Sequence, residues 1–182
     1  MRVSKHQVAA NREAIVRAAG RLFREKGFDA VTVAEVMRAA GMTHGGFYGY
    51  FKTKDDLFAA AMAQAMEEVA SEYASIAARA ERYLTPAHRA DMPGGCPMAA
   101  LAGEMPRRSG EARGVMTDSL REQIDRMTAA AQGPDAAARR RVAIGSWSAM
   151  LGALILARMS DDPELSGEVL AETRAWLADR DG

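Results

Sequence analysis

Apolar positions recur along almost the whole chain at intervals of three and four, the repeat of an α-helix. Ile15, Ala18, Ala19, Leu22 and Phe23 fall at i, i+3, i+4, i+7 and i+8 and make one apolar stripe. The helix they predict ends near Lys26, where Gly27 supplies a left-handed cap. Thr32-Val33-Ala34-Glu35 reads as a capping box, with Thr32 as N-cap and Glu35 reaching back to it. The short helix that follows carries Val33, Val36, Met37 and Ala40 inward, and Gly41 breaks it. A second short helix is predicted from about Thr43 to Tyr50, with Phe47 and Phe51 on one face. Thr53-Lys54-Asp55-Asp56 is another N-cap signal and opens a long helix through about Glu81.

Between Leu84 and Arg108 the pattern is punctuated. Thr85-Pro86 starts a short helix with Pro at its first position. Pro93-Gly94-Gly95 is a turn, and Cys96-Pro97 starts a helix carrying Met98, Leu101 and Met105 that Pro106 ends. Ser109 caps a helix to about Ala131, Gly133-Pro134 starts one ending near Met159, and Asp162-Pro163 starts the last, ending near Ala178. The sum is an all-α chain of about nine helices with no convincing strand. Helix, short helix, Gly turn, short helix is the layout of a helix-turn-helix. We therefore expect a three-helix DNA-binding domain over residues 1–58 and a helical ligand-binding and dimerisation domain over 59–182. The boundary is expected inside the Lys54–Glu81 helix, with no flexible linker.

Composition adds little to this picture, and charge adds more. Hydrophobic residues are 48% and charged residues 26%, ordinary for a globular chain. Aromatics are 6%, which favours helix over sheet. The net charge is zero, but it is unevenly spread. Residues 1–58 hold ten Lys/Arg against six Asp/Glu, and the remainder fourteen against eighteen. A basic segment on an acidic body is a footprint of nucleic-acid binding. The single cysteine, Cys96, allows no intramolecular disulfide and suits a cytoplasmic protein. Met1-Arg2-Val3-Ser4-Lys5-His6 leads into no apolar signal region. The apolar run Val142–Ala157, though preceded by Arg139-Arg140-Arg141, is short for a membrane span and reads as a buried helix, so no membrane partner is expected.

The second short helix, Thr43-His44-Gly45-Gly46-Phe47-Tyr48-Gly49-Tyr50-Phe51, should lie in the major groove of double-stranded DNA. Three glycines in a helix cost roughly 1 kcal/mol each relative to alanine. Close approach of the backbone to another surface is a reason to accept that cost. Phe47 and Phe51 anchor the helix, leaving the Tyr48 and Tyr50 hydroxyls for phosphate oxygens. Thr43 and His44 are placed to reach base edges. Thr32 and Lys54 lie at helix N-termini, where backbone N–H groups favour phosphate. The bland alternatives are amphipathic surface tyrosines, a helix-start histidine and a solvated lysine.

Residues 11–60 resemble the DNA-binding domain of the TetR (tetracycline repressor) family. The resemblance is carried by Ala18-Ala19-Gly20-Arg21-Leu22-Phe23, Lys26-Gly27-Phe28, Thr32-Val33-Ala34-Glu35-Val36, Ala39-Ala40-Gly41-Met42-Thr43 and Phe47-Tyr48-Gly49-Tyr50-Phe51-Lys52-Thr53-Lys54-Asp55-Asp56-Leu57. It implies a homodimeric regulator, usually a repressor, that reads a palindromic operator. It also implies phosphate contacts from Thr32, Tyr48, Tyr50 and Lys54, and approach to bases by Thr43, His44 and Gly46. Tyr50 stands where His is common, and His44-Gly45-Gly46 is glycine-rich for the family. Gly95-Cys96-Pro97, followed by a small-residue helix, looks like one subgroup of it.

For a small-molecule effector, the candidate residues are Tyr73, Cys96, Met98, Leu101, Met105, Met116, Leu120, Ile124 and Trp147, around a cavity between helices. Few ionisable groups project there by pattern, so an apolar or mildly polar ligand is expected. Plain core packing is the competing reading for each methionine. Cys96 is either a small buried hydrophobe or a redox or electrophile sensor. Leu151, Leu154, Ile155, Val169 and Trp176 give the last two helices more apolar surface than one face needs. Pairing with a second subunit in a four-helix bundle would bury it; covering the monomer's own core is the alternative. His6, His44 and His88 are scattered, there is no Cys-x-x-Cys or His-x-x-x-His, and no phosphate-cradling loop follows a strand. No enzymatic activity, metal or cofactor is expected. A helical enzyme or ligand carrier with an incidental helix-turn-helix and a protein-interaction module are the rival classes, and an activator is the rival sign of regulation.

Overall fold

The computed structural model describes residues 4–70 and 72–179, so Met1, Arg2 and Val3 of the N-terminal reading lie outside the described residues. Its α-helices are α1 (Lys5–Lys26), α2 (Val33–Ala39), α3 (Lys54–Val69), α4 (Ile76–Tyr83), α5 (Pro86–Ala90), α6 (Pro97–Leu101), α7 (Gly110–Ala130), α8 (Ala136–Met159) and α9 (Pro163–Ala178). Two 3-10 turns, His44–Gly49 and Met105–Arg107, complete the order, and no strand occurs among the described residues.

Caps define most of these boundaries. Ser4, Ser75, Thr85, Ser109 and Asp135 each accept a backbone N–H three residues on. Thr53 and Asp56 complete a reciprocal capping box. The box expected at Thr32 is only half formed. Thr32 Oγ1 accepts from Glu35 N, but the Glu35 carboxylate pairs with Lys26 Nζ at 2.6 Å instead. The continuous Lys54–Glu81 helix is also interrupted. Ala70 adopts an extended conformation after α3, and Ser75 restarts the chain as a new N-cap. A cap side chain competes with helix continuation by satisfying the N–H groups that a preceding turn would have used. The helix through Met105 stops at Leu101, and Pro106 falls within the 3-10 turn Met105–Arg107 rather than ending α6.

The small N-terminal core forms where α1 crosses α3 and α2 closes over the 3-10 turn. Phe23, Phe28 and Phe58 meet there with ring centroids 5.0–5.7 Å apart, within the range aromatic pairs prefer. Phe47 and Phe51 are buried, as the periodicity requires. The larger body is a stack in which α3 packs on α7, α7 on α8, α8 on α9, and α9 on α4. Helix α3 thus belongs to both cores. Helix α8 is long and apolar enough to cross a membrane by length and composition, but it is held between α7 and α9 in the bundle.

Candidate nucleic-acid interface

The segment expected to read DNA is a 3-10 helix, not an α-helix. Three glycines in six residues weaken the preference for α geometry, and the short 3-10 ladder needs fewer bonds. Thr43 is its N-cap in extended conformation. Phe47 turns inward, and its ring stacks at 6.0 Å on Phe51. Its neighbours face out. Thr43, His44, Gly45 and Gly49 are exposed, and Tyr48 is 74% exposed. A Cβ added to Gly45 or Gly49 would meet nothing within 4 Å, and one on Gly46 would make an ordinary contact with Met37. Internal packing therefore does not require these glycines.

The other predicted contacts divide. Thr32 is exposed at the start of α2. Tyr50 is half-buried, and its hydroxyl oxygen accepts from Asn11 Nδ2 at 3.0 Å, which leaves the Tyr50 proton free to donate outward. Lys54 is turned inward. Its ammonium donates to the Phe28 carbonyl and lies 4.1 Å from the Phe28 ring centroid, and burial lowers its pKa. Its first role is to clamp the turn between α1 and α2.

The predicted effector residues do not surround one space. A cavity of about 580 Å³ lies between the end of α3, α4, α5 and the Pro93–Cys96 turn, and of the nine candidates only Cys96 lines it. Met98, Leu101, Met116 and Trp147 are buried in the core. Met105 and Ile124 are half-buried, and Leu120 is exposed. Tyr73 borders a smaller cavity of about 230 Å³ with Arg126, and its hydroxyl accepts from Gln123. The expectation of a weakly polar wall fails as well, because Arg79, Arg82, His88, Glu68 and Asp91 line the large cavity. Arg79 and Arg82 belong to the polar side of α4, which the interrupted helix turns toward the Pro93–Cys96 turn.

Known proteins match both halves of this arrangement. The family described as bacterial regulatory proteins, tetR family, matches residues 15–61, and the tetracyclin repressor-like C-terminal domain matches residues 73–172. The chain belongs to the TetR family. It is a helix-turn-helix transcriptional regulator of that family. The HTH-type transcriptional repressor Rv1474c of Mycobacterium tuberculosis is 37% identical over 70 residues, 38% of this chain and 37% of that protein. The regulator AcrR of Shigella flexneri is 39% identical over 57 residues, 31% of this chain and 26% of that one. The match thus spans well under half the length of these curated relatives. Over the full fold, a TetR regulator from Chloroflexus aurantiacus superposes with TM-score 0.78 at 24% identity, covering 96% of this chain and 95% of its own. Reduced NemR of E. coli superposes with TM-score 0.72 at 20% identity, covering 94% and 97%.

Several residues of this TetR chain matter that the sequence pattern did not single out. Arg38 on α2 and Lys52 just after the 3-10 turn are exposed cations on the DNA-binding head. Glu104, from the loop after α6, accepts from Phe28 N at 2.8 Å, and a Cβ at Gly27 would collide with its carboxylate. Gly27 also holds φ 82, a conformation that favours glycine. Arg108 covers the Phe28 ring at 4.2 Å, and buried Arg24 donates to Pro93 O at 2.6 Å. These contacts tie the head to the segment that walls the cavity. Glycine pairs such as Gly94-Gly95 were the available signal: a Cβ on Gly95 would strike the Asp91 carbonyl and the Arg158 guanidinium.

Proposed function

We propose that the protein is a cytoplasmic repressor that binds a palindromic operator as a homodimer and is released by a small molecule. The observation that carries the DNA-binding part is the outer face of the 3-10 turn. Exposed Tyr48, Thr43 and His44 are interleaved with glycines whose missing side chains no protein atom explains. A bare backbone beside donors suits a surface of phosphates and base edges. Thr32, Gly46, Tyr50 and Lys54 complete the proposed contact set.

Dimerisation is supported by the outer face of α8 and α9. Ile144, Leu151, Gly152, Ile155 and Met159 form one stripe along α8, and Leu165, Val169 and Trp176 one along α9. Ile144, Met159, Leu165 and Trp176 are exposed, while Leu151, Ile155 and Val169 are half-buried. Leu154, expected at this interface, is wholly buried in the monomer's own core because it lies on the opposite side of α8. Two such helix pairs facing each other make a four-helix bundle that buries the remainder. The two heads would then address major-groove faces about 34–36 Å apart, or a multiple of that.

Substitution of Gly45 tests the assignment directly. Gly45→Ala adds a methyl group into open space and removes a helix-disfavouring glycine, so thermal stability should hold or rise by up to about 1 kcal/mol. DNA affinity should fall at the same time. A variant that is more stable and binds DNA undiminished would contradict close backbone approach.

A further inference from the structure

One wall of the large cavity carries a buried tyrosine, Tyr83. Tyr83 is 2% exposed, and its buried hydroxyl faces the weakly accepting sulfur of Cys96 with no well-formed hydrogen bond among the described residues. The Nη1 groups of Arg24 and Arg158 are likewise buried without a partner among those residues. Arg24 is within electrostatic range of Glu68, Asp91 and Cys96, which line the cavity. Arg158 stands behind the opposite wall, with Nη2 3.0 Å from where a Gly95 Cβ would be. An unpaired buried donor costs stability, and an acceptor atom of a ligand in the cavity would recover it at Tyr83.

Arg79 and Arg82 line the cavity directly, while Arg24 and Arg158 stand outside its lining. Two carboxylates oppose them. Asp91 accepts from Gly94 N at 2.8 Å, and Glu68 from Gln64 Nε2 at 2.9 Å. The Arg79 guanidinium is held among the rings of Tyr73, Tyr83 and Trp147, 5.1–5.9 Å from their centroids. Such a cation is already oriented and loses little freedom on binding an anion. His88 fixes the wall opposite. Its Nδ1 donates to Tyr83 O and its Nε2 accepts from Cys96 N, which assigns one neutral tautomer. Val69, Ala70 and Ala87 supply the apolar part of the lining.

We propose that this cavity is the effector site and takes a small organic carboxylate, its acid end on Arg79, Arg82 and the Tyr83 hydroxyl and its apolar remainder over Val69, Ala70 and Ala87. The proposal rests on the reading of the chain as a ligand-released regulator and names the ligand class. The wall that such a ligand touches is the one that reaches the head through Arg24 and Pro93 O.

Titration calorimetry on the full chain tests it, with benzoate, phenylacetate and hexanoate as probes and their neutral amides as controls. At least one carboxylate should bind, and its amide should bind about tenfold more weakly or not at all. Tyr83→Phe deletes only the unpaired hydroxyl, so the unliganded variant should melt at or above the wild-type temperature while losing about tenfold in carboxylate affinity. Arg82→Gln, at the exposed rim, should also weaken binding and decides the matter if Tyr83→Phe folds poorly. No binding by any of the three acids overturns the proposal, as does equal binding of acid and amide, or full affinity in both variants. DNA affinity is measured in parallel. A carboxylate that binds at these residues yet leaves DNA affinity unchanged refutes the effector role while the regulator stands. A chain that binds the carboxylate but no DNA refutes the regulator reading while the cavity assignment stands.

Discussion

Gly45, Tyr48 and His88 show how differently single residues serve the two ends of this molecule. On the head, side chains are withheld or exposed so that something else can approach. At the cavity, His88 is spent on holding backbone, with Tyr83 O on one ring nitrogen and Cys96 N on the other. Burial lowers its pKa from the ordinary value of 6.5, and the neighbouring Arg158 and Arg79 charges add to this against the Tyr83 carbonyl and Asp91, which raise it. The folded state therefore prefers neutral His88. Its contribution is present above pH 6.5 and is lost as pH falls toward the lower folded pKa, where the unfolded chain already binds the proton. Urea midpoints should fall between pH 7.5 and 5.5, and His88→Gln should flatten that slope. An unchanged slope in the variant would contradict the linkage. The exposed contact residues were legible in the sequence because apolar periodicity says which of nine neighbours must face in. His88 was not, since its partners are two backbone groups, one across the α4–α5 turn and the other at the start of α6.

Among the elements, α6 and the loop after it connect the two ends. Its N-terminal side is the Cys96 wall of the cavity, and its C-terminal side leads to Glu104 on Phe28 N and Arg108 on the Phe28 ring. A shift of this short helix therefore acts on the turn that sets the angle between α1 and α2. Glu104→Ala should cost about 1–2 kcal/mol by leaving the Phe28 N–H without its acceptor. It should also reduce the effect of a bound effector on DNA affinity, since coupling needs a physical link whose arrangement both sites bias. Intact coupling in a folded Glu104→Ala protein, read as the ratio of DNA affinities with and without effector, would move the link elsewhere. Helix order and most caps followed from the sequence because Ser, Thr, Asp and Pro mark helix starts locally. The break after Val69 and the shortness of α6 did not. Ser75 caps a new helix after the first of these, and it also suits a helix interior when judged by its neighbours alone.

For the whole molecule, the basic head, the acidic body and the apolar face of α8 and α9 combine into one expectation: two copies joined at the body with their heads held apart. Met159 is 75% exposed, so Met159→Glu should leave the monomer's stability within about 0.5 kcal/mol. On the proposed interface it buries a charge, so sedimentation should show monomers and affinity for a full palindrome should drop more than tenfold; a stable dimer in this variant would place the interface elsewhere. The fold class could be read from the sequence because helical periodicity runs nearly end to end. The cavity could not, because its lining comes from four separate segments and its arginines sit on faces that look solvated. The central claim, a DNA-binding regulator, is tested most directly by fluorescence anisotropy of the purified protein. The probes are DNA from upstream of its own gene and a scrambled duplex, across a salt series, with Tyr48→Ala beside the wild type. Binding should be tight, sequence-selective and weaker as salt rises, and Tyr48→Ala should bind every duplex more weakly. Absence of binding to either duplex even at low salt would contradict the central claim.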